Sequence, residues 1–208
     1  MDFYEYRLTS DALCMGERMK AGIFRPCIKT IPYSQITGAL QAKFGRDKKI
    51  HAVGCLVENS YLNQKEYYIY SPRDKVMGKS KVPLQMEYLT DVVGRVFILR
   101  NEDTHESEND FEIYMGALKS KGFGKCHLVK TRIWKEGEYK PKKFEGVLNV
   151  RIPLNKIENF GFSEKDIKSR VYGYLFEPPD PPILYGGQYV LSLFEGSEVV
   201  CPEFLKKE

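Results

Sequence analysis

The sequence is organised around one stretch, Gly116-Ala117-Leu118-Lys119-Ser120-Lys121-Gly122-Phe123-Gly124-Lys125, which stands between a predicted helix and a predicted strand. Gly122 and Gly124 allow the backbone to adopt positive φ and let its N–H groups approach a ligand closely, while the lysines add positive charge. Neither the Walker order nor the dinucleotide-binding spacing of glycines is present. The stretch therefore predicts contact with a phosphodiester backbone. The alternative is a tight turn with solvated lysines.

Composition describes a globular chain of 208 residues with 42% hydrophobic residues and a formal net charge of +4. A charge this small does not by itself indicate nucleic-acid binding. The basic residues are concentrated, however, because residues 15–49 hold eight basic and two acidic side chains and residues 116–143 hold nine and two. Residues 144–208 hold seven basic and ten acidic side chains, which favours contact with protein over contact with a polyanion.

The five cysteines are far apart in the sequence and include no C-x-x-C pair. This pattern predicts a reduced intracellular protein without a zinc site or any other metal site. No secretory signal is recognisable at the N-terminus, and no apolar run approaches the roughly 20 residues that a membrane span needs. We therefore expect a soluble, cytoplasmic protein with no cofactor and no membrane partner.

The pattern of apolar residues predicts an α+β fold. Four strands are predicted from alternating and aromatic-rich runs, at residues 3–10, 51–57, 93–100 and 126–134. One helix is predicted to start at an N-cap on Ser34 and to end at Gly45, and a second covers residues 107–118. The order strand, helix, strand, strand, helix, strand predicts a ferredoxin-like (RRM-like) β-α-β-β-α-β domain over residues 1–140, with a hairpin inserted at about 58–92.

The rest of the chain, residues 141–208, is predicted to form a smaller β-rich C-terminal part. Its strands are expected at residues 144–153, 170–177 and 189–200, and one short helix is expected near residues 164–169. Glycine-rich and proline-rich segments separate them.

Two stretches together resemble one family. The run Gly22-Ile23-Phe24-Arg25-Pro26, followed by Thr30-Ile31-Pro32-Tyr33-Ser34-Gln35-Ile36-Thr37-Gly38-Ala39-Leu40, is similar to the F-R-P … P-x-S-x-x-x-G-x-L opening of the repeat-associated mysterious proteins (RAMP superfamily) of CRISPR systems. It most resembles the branch that grips the 5′ handle of the guide RNA. The loop at residues 116–125 resembles the glycine-rich loop of the same superfamily.

The resemblance implies binding of CRISPR RNA within a ribonucleoprotein that contains other effector subunits, and places residues 58–92 where a thumb hairpin separates guide from target. A target-cutting role is not expected, because Asp11 and Glu17 are the only acidic candidates for a metal ligand in the first loop. The residues expected to bind RNA are Phe24, Arg25, Lys29, Ser34, Lys119, Ser120, Lys121, Gly122, Phe123, Gly124 and Lys125. Phe24 and Phe123 are candidates for base stacking, and the alternative for Phe123 is a hydrophobic plug that anchors the loop.

His51 is a weak candidate for catalysis, since some relatives cleave precursor guide RNA with a His, Tyr and Lys set. Lys48 and Lys49 precede it, and Tyr33 or Tyr4 could lie near. Such cleavage needs a general base, a general acid and a cation for the phosphorane. The alternative is an ordinary strand residue. Three functions therefore follow from the sequence: a non-catalytic guide-RNA binding subunit, a metal-independent endoribonuclease that processes precursor CRISPR RNA, and a protein-docking scaffold of the same complex.

Overall fold

The computed structural model describes residues 1–16, 23–74, 76–104, 109–139, 143–177 and 187–207. The strands within these ranges are β1 (Phe3–Leu13), β2 (Phe24–Arg25), β3 (Ala52–Leu56), β4 (Gln64–Tyr70), β5 (Leu84–Leu99), β6 (Phe111–Tyr114), β7 (Lys125–Trp134), β8 (Lys143–Val147), β9 (Ile152–Pro153), β10 (Ile167–Ser169), β11 (Tyr172–Glu177), β12 (Gln188–Leu193) and β13 (Glu198–Pro202). The α-helices in these ranges are α1 (Tyr33–Phe44) and the single turn α2 (Glu136–Tyr139), and 3-10 helices lie at Lys119–Lys121, Leu154–Phe160, Glu164–Asp166 and Glu203–Leu205. The fold is α+β, with few helices, as the sequence predicts.

The main sheet is built around β5, a strand of 16 residues that pairs with other strands on both of its sides. Strand β1 runs antiparallel along one side of β5, from Phe3 opposite Leu99 to Leu13 opposite Leu89, and β7 and then β6 continue the sheet beyond β1. Strands β3 and β4 share the other side of β5. The sheet is mixed because the short strand β2 pairs in parallel with the start of β5. The hairpin predicted at residues 58–92 is formed by β4 and the first half of β5.

The second predicted helix, at residues 107–118, is wrong. Residues 111–114 form β6, an edge strand paired with β7. The apolar spacing of this segment also fits a period of two, and Ile113 and Met115 are buried while Glu112 and Tyr114 are exposed. Asp110, expected to help cap the helix, instead accepts a hydrogen bond from the Lys130 N–H at 2.8 Å. Ser107, the other expected cap, lies outside the described residues.

Other boundaries differ for local reasons. Helix α1 starts at Tyr33 with Pro32 as its N-cap, so Ser34 lies in its first turn and does not cap it. The strand predicted at 144–153 is divided into β8 and β9, and the strand predicted at 189–200 is divided into β12 and β13. A turn with Gly196 at φ 92 interrupts the second of these, because a positive φ does not fit a continuous strand.

Hydrophobic residues cover both faces of the main sheet. One cluster packs α1 onto the face that carries Tyr6, Leu8 and Val96. The next residue along β5, Phe97, points to the opposite face and belongs to a second cluster with Phe160 and Phe204 of the C-terminal part. The second face of the sheet is thus covered by residues of the described ranges 143–177 and 187–207. The boundary near residue 140 stays a prediction, and this shared cluster makes it testable.

Candidate nucleic-acid interface

The glycine loop, residues 116–125, joins β6 to β7 at one edge of the main sheet. It contains a 3-10 turn at Lys119–Lys121. Two hydrogen bonds fasten the loop to the end of β1, from the Ala117 N–H to the Cys14 carbonyl at 2.8 Å and from the Gly124 N–H to the Ala12 carbonyl at 2.7 Å. The loop is therefore held on the sheet at both of its ends.

The backbone geometry of the loop requires glycine more strictly at some positions than at others. Gly116, Gly122 and Gly124 all have positive φ, at 82°, 91° and 83°. A Cβ at Gly124 would lie 2.1 Å from the Met115 carbonyl oxygen, whereas a Cβ at Gly122 would meet nothing within 4 Å. The Gly122 N–H donates to the Lys119 carbonyl at 3.1 Å, so this N–H, like that of Gly124, is engaged within the protein. A phosphate at the loop would therefore be met mainly by side chains.

The charged side chains of the loop are not equivalent. Lys119, Ser120 and Lys121 are exposed. Lys125 instead lies 3.0 Å from Glu112, which also lies 3.0 Å from Nδ1 of His127. The hydrogen bond from Lys125 holds the pKa of the Glu112 carboxyl below its usual range, because it stabilises the ionised form. Lys119 and Lys121 are the loop cations best placed to attract an anion.

Phe123 packs against tyrosines of the inserted hairpin. Its ring centroid lies 4.9 Å from that of Tyr88 and 5.6 Å from that of Tyr68, and Tyr68 stacks on Tyr70 at 5.7 Å with an interplanar angle of 22°. All four rings remain half-buried. We call Tyr68, Tyr70, Tyr88 and Phe123 the aromatic platform. Phe123 thus anchors the loop and still presents part of its ring to solvent.

The structure brings one part of the predicted N-terminal site to the platform. Arg25 of β2 is paired with Met86 of β5, and Met86 is paired on its other side with Tyr68, so the three residues lie in one row across the sheet. Phe24 precedes Arg25 and is 40% exposed, and Lys29 is exposed in the segment that follows. Ser34 is placed apart from this row, where the first turn of α1 lines a cleft.

The tyrosines of the platform were missed by sequence reasoning. The available signal was the run Tyr67-Tyr68-Ile69-Tyr70 in a strand too polar to be part of a core. The pairing of β4 with β5 places Tyr68 and Tyr88 on one face, and the contacts of both rings with Phe123 show that this face meets the loop. Aromatic rings beside exposed lysines are the combination that single-stranded nucleic acid requires, because every base offers a stacking face and every linkage a negative charge.

His51 lies in a separate polar cluster between α1, β3 and the C-terminal part. The Tyr33 hydroxyl is 2.7 Å from Nδ1 of His51, and the Asn159 amide nitrogen is 3.4 Å from the same atom. Burial, followed by the nearby charges of Lys156 and Lys49, lowers the pKa of His51. Burial also raises the pKa of Tyr33. The Tyr33 and His51 pair expected from the sequence is therefore present, while Asn159 and Lys156 were not anticipated.

This cluster is poorly arranged for proton transfer. Where Tyr33 donates to Nδ1, the proton of a neutral His51 lies on Nε2, and the basic nitrogen is the one already occupied. A tyrosine with a raised pKa is also a weaker acid. Tyr4, the other tyrosine considered, is buried with the ammonium of Lys130 4.5 Å from its ring centroid.

Metal and membrane sites are not indicated in the described part of the chain. No group of three or more histidine, cysteine or acidic side chains there could hold a metal ion. The five cysteines are buried and unpaired with one another. No helix among these residues is both long and apolar enough to cross a membrane.

Comparison with solved structures gives the fold a context. A chain from the cryo-EM structure of the Type III-B Cmr-beta bound to cognate target RNA aligns with 94% of this chain and 86% of its own length, at a TM-score of 0.61 and 10% identity. A chain from the cryo-EM structure of the Type III-B Cmr-beta bound to cognate target RNA and AMPPnP aligns with 96% of this chain and 86% of its own length. The TM-score is 0.57 and the sequence identity is 11%.

This chain shares the fold of those Cmr-beta chains. A chain of a CRISPR RNA-guided surveillance complex aligns at a TM-score of only 0.48 with 13% identity, over 99% and 93% of the two lengths. No model of a protein family matches the sequence, and no curated protein matches it.

Proposed function

We propose that this chain is a guide-RNA (crRNA) binding subunit of a CRISPR effector ribonucleoprotein, a member of the RAMP superfamily that grips the RNA 5′ handle without cleaving it. The observation that carries the proposal is the alignment of almost the whole chain with chains of the Cmr-beta assembly. Fold similarity alone does not fix a function. The F-R-P motif and the glycine loop supply the residue-level support, together with the aromatic platform.

We infer that the main sheet derives from a ferredoxin-like fold. Strands β3, β5, β1 and β7 lie side by side in that order and are antiparallel to their neighbours, which is the arrangement of a β-α-β-β-α-β sheet. In this chain β6 occupies the position in sequence where the second helix would occur.

The proposed RNA path runs over the aromatic platform between Arg25 and the glycine loop. Lys119, Lys121 and Ser120 would meet phosphates, and the rings of Phe123 and Tyr68 would stack on bases. Lys29, Phe24 and Lys125 border this path, whereas Gly122 and Gly124 shape the loop.

A filter-binding titration tests the proposal, with single-stranded RNA that carries a repeat-derived 5′ handle and with the same RNA after the handle is scrambled. We expect tighter binding of the intact handle and a slope of log K against log salt of about −0.7 for each phosphate contacted. A slope near zero contradicts binding through an electrostatic groove. Equal affinity for both RNAs contradicts recognition of the handle.

A second candidate is the metal-independent endoribonuclease, for which a His and Tyr pair is present in His51 and Tyr33, although their hydrogen bond occupies the basic nitrogen of His51. Incubation of the chain with end-labelled repeat RNA in EDTA separates the two candidates, because only the enzyme yields a discrete product. If a product forms, it should disappear in His51→Asn.

A third candidate is the docking scaffold, in which residues 143–207 contact neighbouring subunits in the cytoplasm. It is supported by the acidic balance of residues 144–208 and by exposed tyrosines, which include Tyr172, Tyr174 and Tyr189. Co-purification of effector subunits without detectable RNA binding would favour this role over the first proposal.

A further inference from the structure

A cleft separates the first turn of α1 from the hairpin of β11 and β12. Its volume is about 470 Å³, and its walls include Ser34, Gln35, Arg151, Tyr174, Phe176 and Tyr189. This volume lies within the range of sites for small molecules and cofactors, which are lined mainly by apolar and aromatic groups with a few placed polar ones. The cleft is too small for a peptide helix or a nucleic-acid duplex.

The aromatic residues of the cleft are more exposed than a packing role would require. Tyr174 is 65% exposed and Tyr189 is 54% exposed. Phe176 lies directly opposite Tyr189 in the strand pair, and their rings meet edge to face at 5.5 Å. Planar rings that stand at the rim of a cleft offer stacking faces to a flat ligand.

The charge in the cleft is already balanced. Arg151 makes a bidentate pair with Glu195, with both N···O distances at 2.7 Å, and its guanidinium lies 4.2 Å from the ring centroid of Phe194. A phosphate or an acidic side chain would therefore have to compete with Glu195 for this cation. The cleft suits an uncharged planar group better than an anion.

Gln35 supplies a polar group that lacks a partner. Gln35 lines the cleft, and its Oε1 atom is buried with no hydrogen-bond partner among the residues that the structure describes, so the amide must turn toward the cleft to reach a ligand. A buried amide group needs a partner, whichever of its two ends is buried. A glutamine amide pairs well with a nucleobase edge that presents a donor beside an acceptor, as adenine does.

We propose that this cleft binds one unpaired nucleobase of an RNA strand, with Tyr174 or Tyr189 stacking on the base and the Gln35 amide reading its hydrogen-bonding edge. The inference rests on the proposed RNA-binding function and adds a second, uncharged contact distant in sequence from the glycine loop. The sugar and phosphates stay outside the cleft.

The test uses the full chain and a set of handle-containing RNAs, each with one 2-aminopurine at a different position. Stacking on a tyrosine quenches 2-aminopurine fluorescence. We expect one position to be quenched on binding, and Tyr174→Ala together with Tyr189→Ala to abolish that quenching and weaken binding by about 5- to 150-fold. Tyr61→Ala, which removes an 84% exposed tyrosine elsewhere, is the matched control and should change neither.

Gln35→Leu should alter the base preference at the quenched position. No choice of base at that position should restore the affinity of the wild-type protein. If the tyrosine variants do not fold, photocrosslinking of 4-thiouridine RNA to wild-type protein replaces them, and the expected adduct is on Tyr174 or Tyr189. A crosslink confined to other residues then overturns the proposal.

The outcomes separate this inference from the proposed function. Salt-dependent RNA binding with no quenched position overturns the cleft proposal and leaves the RNA-binding function standing. Absence of any RNA binding overturns both. If the tyrosine variants lose a co-purified protein but keep the full quenching, the cleft takes a side chain of a neighbouring subunit instead of a base.

Discussion

The glycine loop and the cleft of Gln35 contrast in both composition and origin. The loop belongs wholly to the main sheet, and its exposed groups, Lys119 and Lys121, are cationic. The cleft exists because β11 and β12 pack beside α1, and its one arginine is neutralised by Glu195. In our proposals the loop attracts RNA over a distance, and the cleft recognises a single base at contact. The two demand different physical tests, because salt screens the first mechanism and leaves the second nearly unaffected.

The largest expected effect concerns the C-terminal part on which the cleft depends. The Phe204 ring lies 5.1 Å from Phe3, 4.8 Å from Phe97, 5.4 Å from Trp134 and 5.6 Å from Tyr139, all between ring centroids. Because this ring joins the two parts of the chain, Phe204→Ala should lower the free energy of unfolding by about 3–5 kcal/mol. Urea denaturation measures this change in the free energy of unfolding. Phe144→Ala, at a half-exposed ring, is the control and should cost far less.

The shape of the same unfolding curve tests the boundary near residue 140. We expect one transition, because both parts contribute to the second hydrophobic cluster. Two separate transitions, with loop binding of RNA retained after the first, would mean that residues 1–140 fold alone. The loop would then be independent of the cleft in stability as well as in mechanism.

The next effect distinguishes two glycines within the loop. Gly124→Ala places a Cβ against the Met115 carbonyl at positive φ, and should lower the free energy of unfolding by about 3 kcal/mol. Gly122→Ala meets open space and should cost only about 1–2 kcal/mol, from its positive φ alone. Thermal unfolding of both variants measures the two losses of stability. Equal losses would indicate that the close approach of Gly124 to Met115 does not determine the loop structure.

The local pattern of apolar residues was sufficient to predict those strands and helices that bury one face and expose the other. Strand β1 and strand β7 alternate clearly, and α1 carries Ile36 and Leu40 at helical spacing, so each was predicted within a few residues of its ends. The second helix failed because residues 111–118 fit periods of both two and 3.6. Pairing with β7 decided between them, and that is a non-local interaction.

The candidate sites show the same division. The lysines and glycines of the loop are contiguous in the sequence and could be recognised there. The platform joins residues 68–70, 88 and 123, and the cleft joins Gln35 to Tyr174 and Tyr189, so neither leaves a local signal. The sequence also could not show that the N–H group of Gly124 is engaged, because its acceptor is the distant Ala12 carbonyl, which the fold brings near.

A smaller effect tests the electrostatic role of the loop. Replacement of Lys119 and Lys121 together by alanine should make the slope of log K against log salt less negative by up to about 1.4, or about 0.7 per lost phosphate contact. Stability should hardly change, since both side chains are exposed. Lys165→Ala with Lys168→Ala, two exposed lysines of the C-terminal part, is the matched control.

Lys125→Ala sharpens this test within the loop itself. Because Lys125 is paired with Glu112, its loss should change the salt slope less than the loss of Lys119 or Lys121. A slope that falls equally for all three lysines would show that the pair with Glu112 opens when RNA binds. An unchanged slope in the double variant would exclude the loop as the electrostatic contact.

The smallest expected effect is a pH dependence at His51, beside the first turn of α1 that also forms the cleft. Burial lowers the pKa of His51 in the folded state below its ordinary value of 6.5. The unfolded chain therefore binds more protons than the folded chain once the pH falls below about 6.5, and stability is lost in that direction. His51→Asn removes this proton uptake, so its melting temperature should decline less than that of the wild type between pH 8 and pH 5.5. At pH 8 the variant should be the less stable of the two, because the hydrogen bond from Tyr33 is weakened.

Lys156→Met, which removes a nearby positive charge, should reduce the pH dependence only in part, since burial is the larger cause of the lowered pKa. Parallel melting curves for wild type and His51→Asn across this range would mean that the imidazole is as hydrated in the folded protein as in the unfolded chain. The packing of the C-terminal part over α1 would then be looser than the structure shows, and the cleft would lose the wall that β11 and β12 form opposite Gln35.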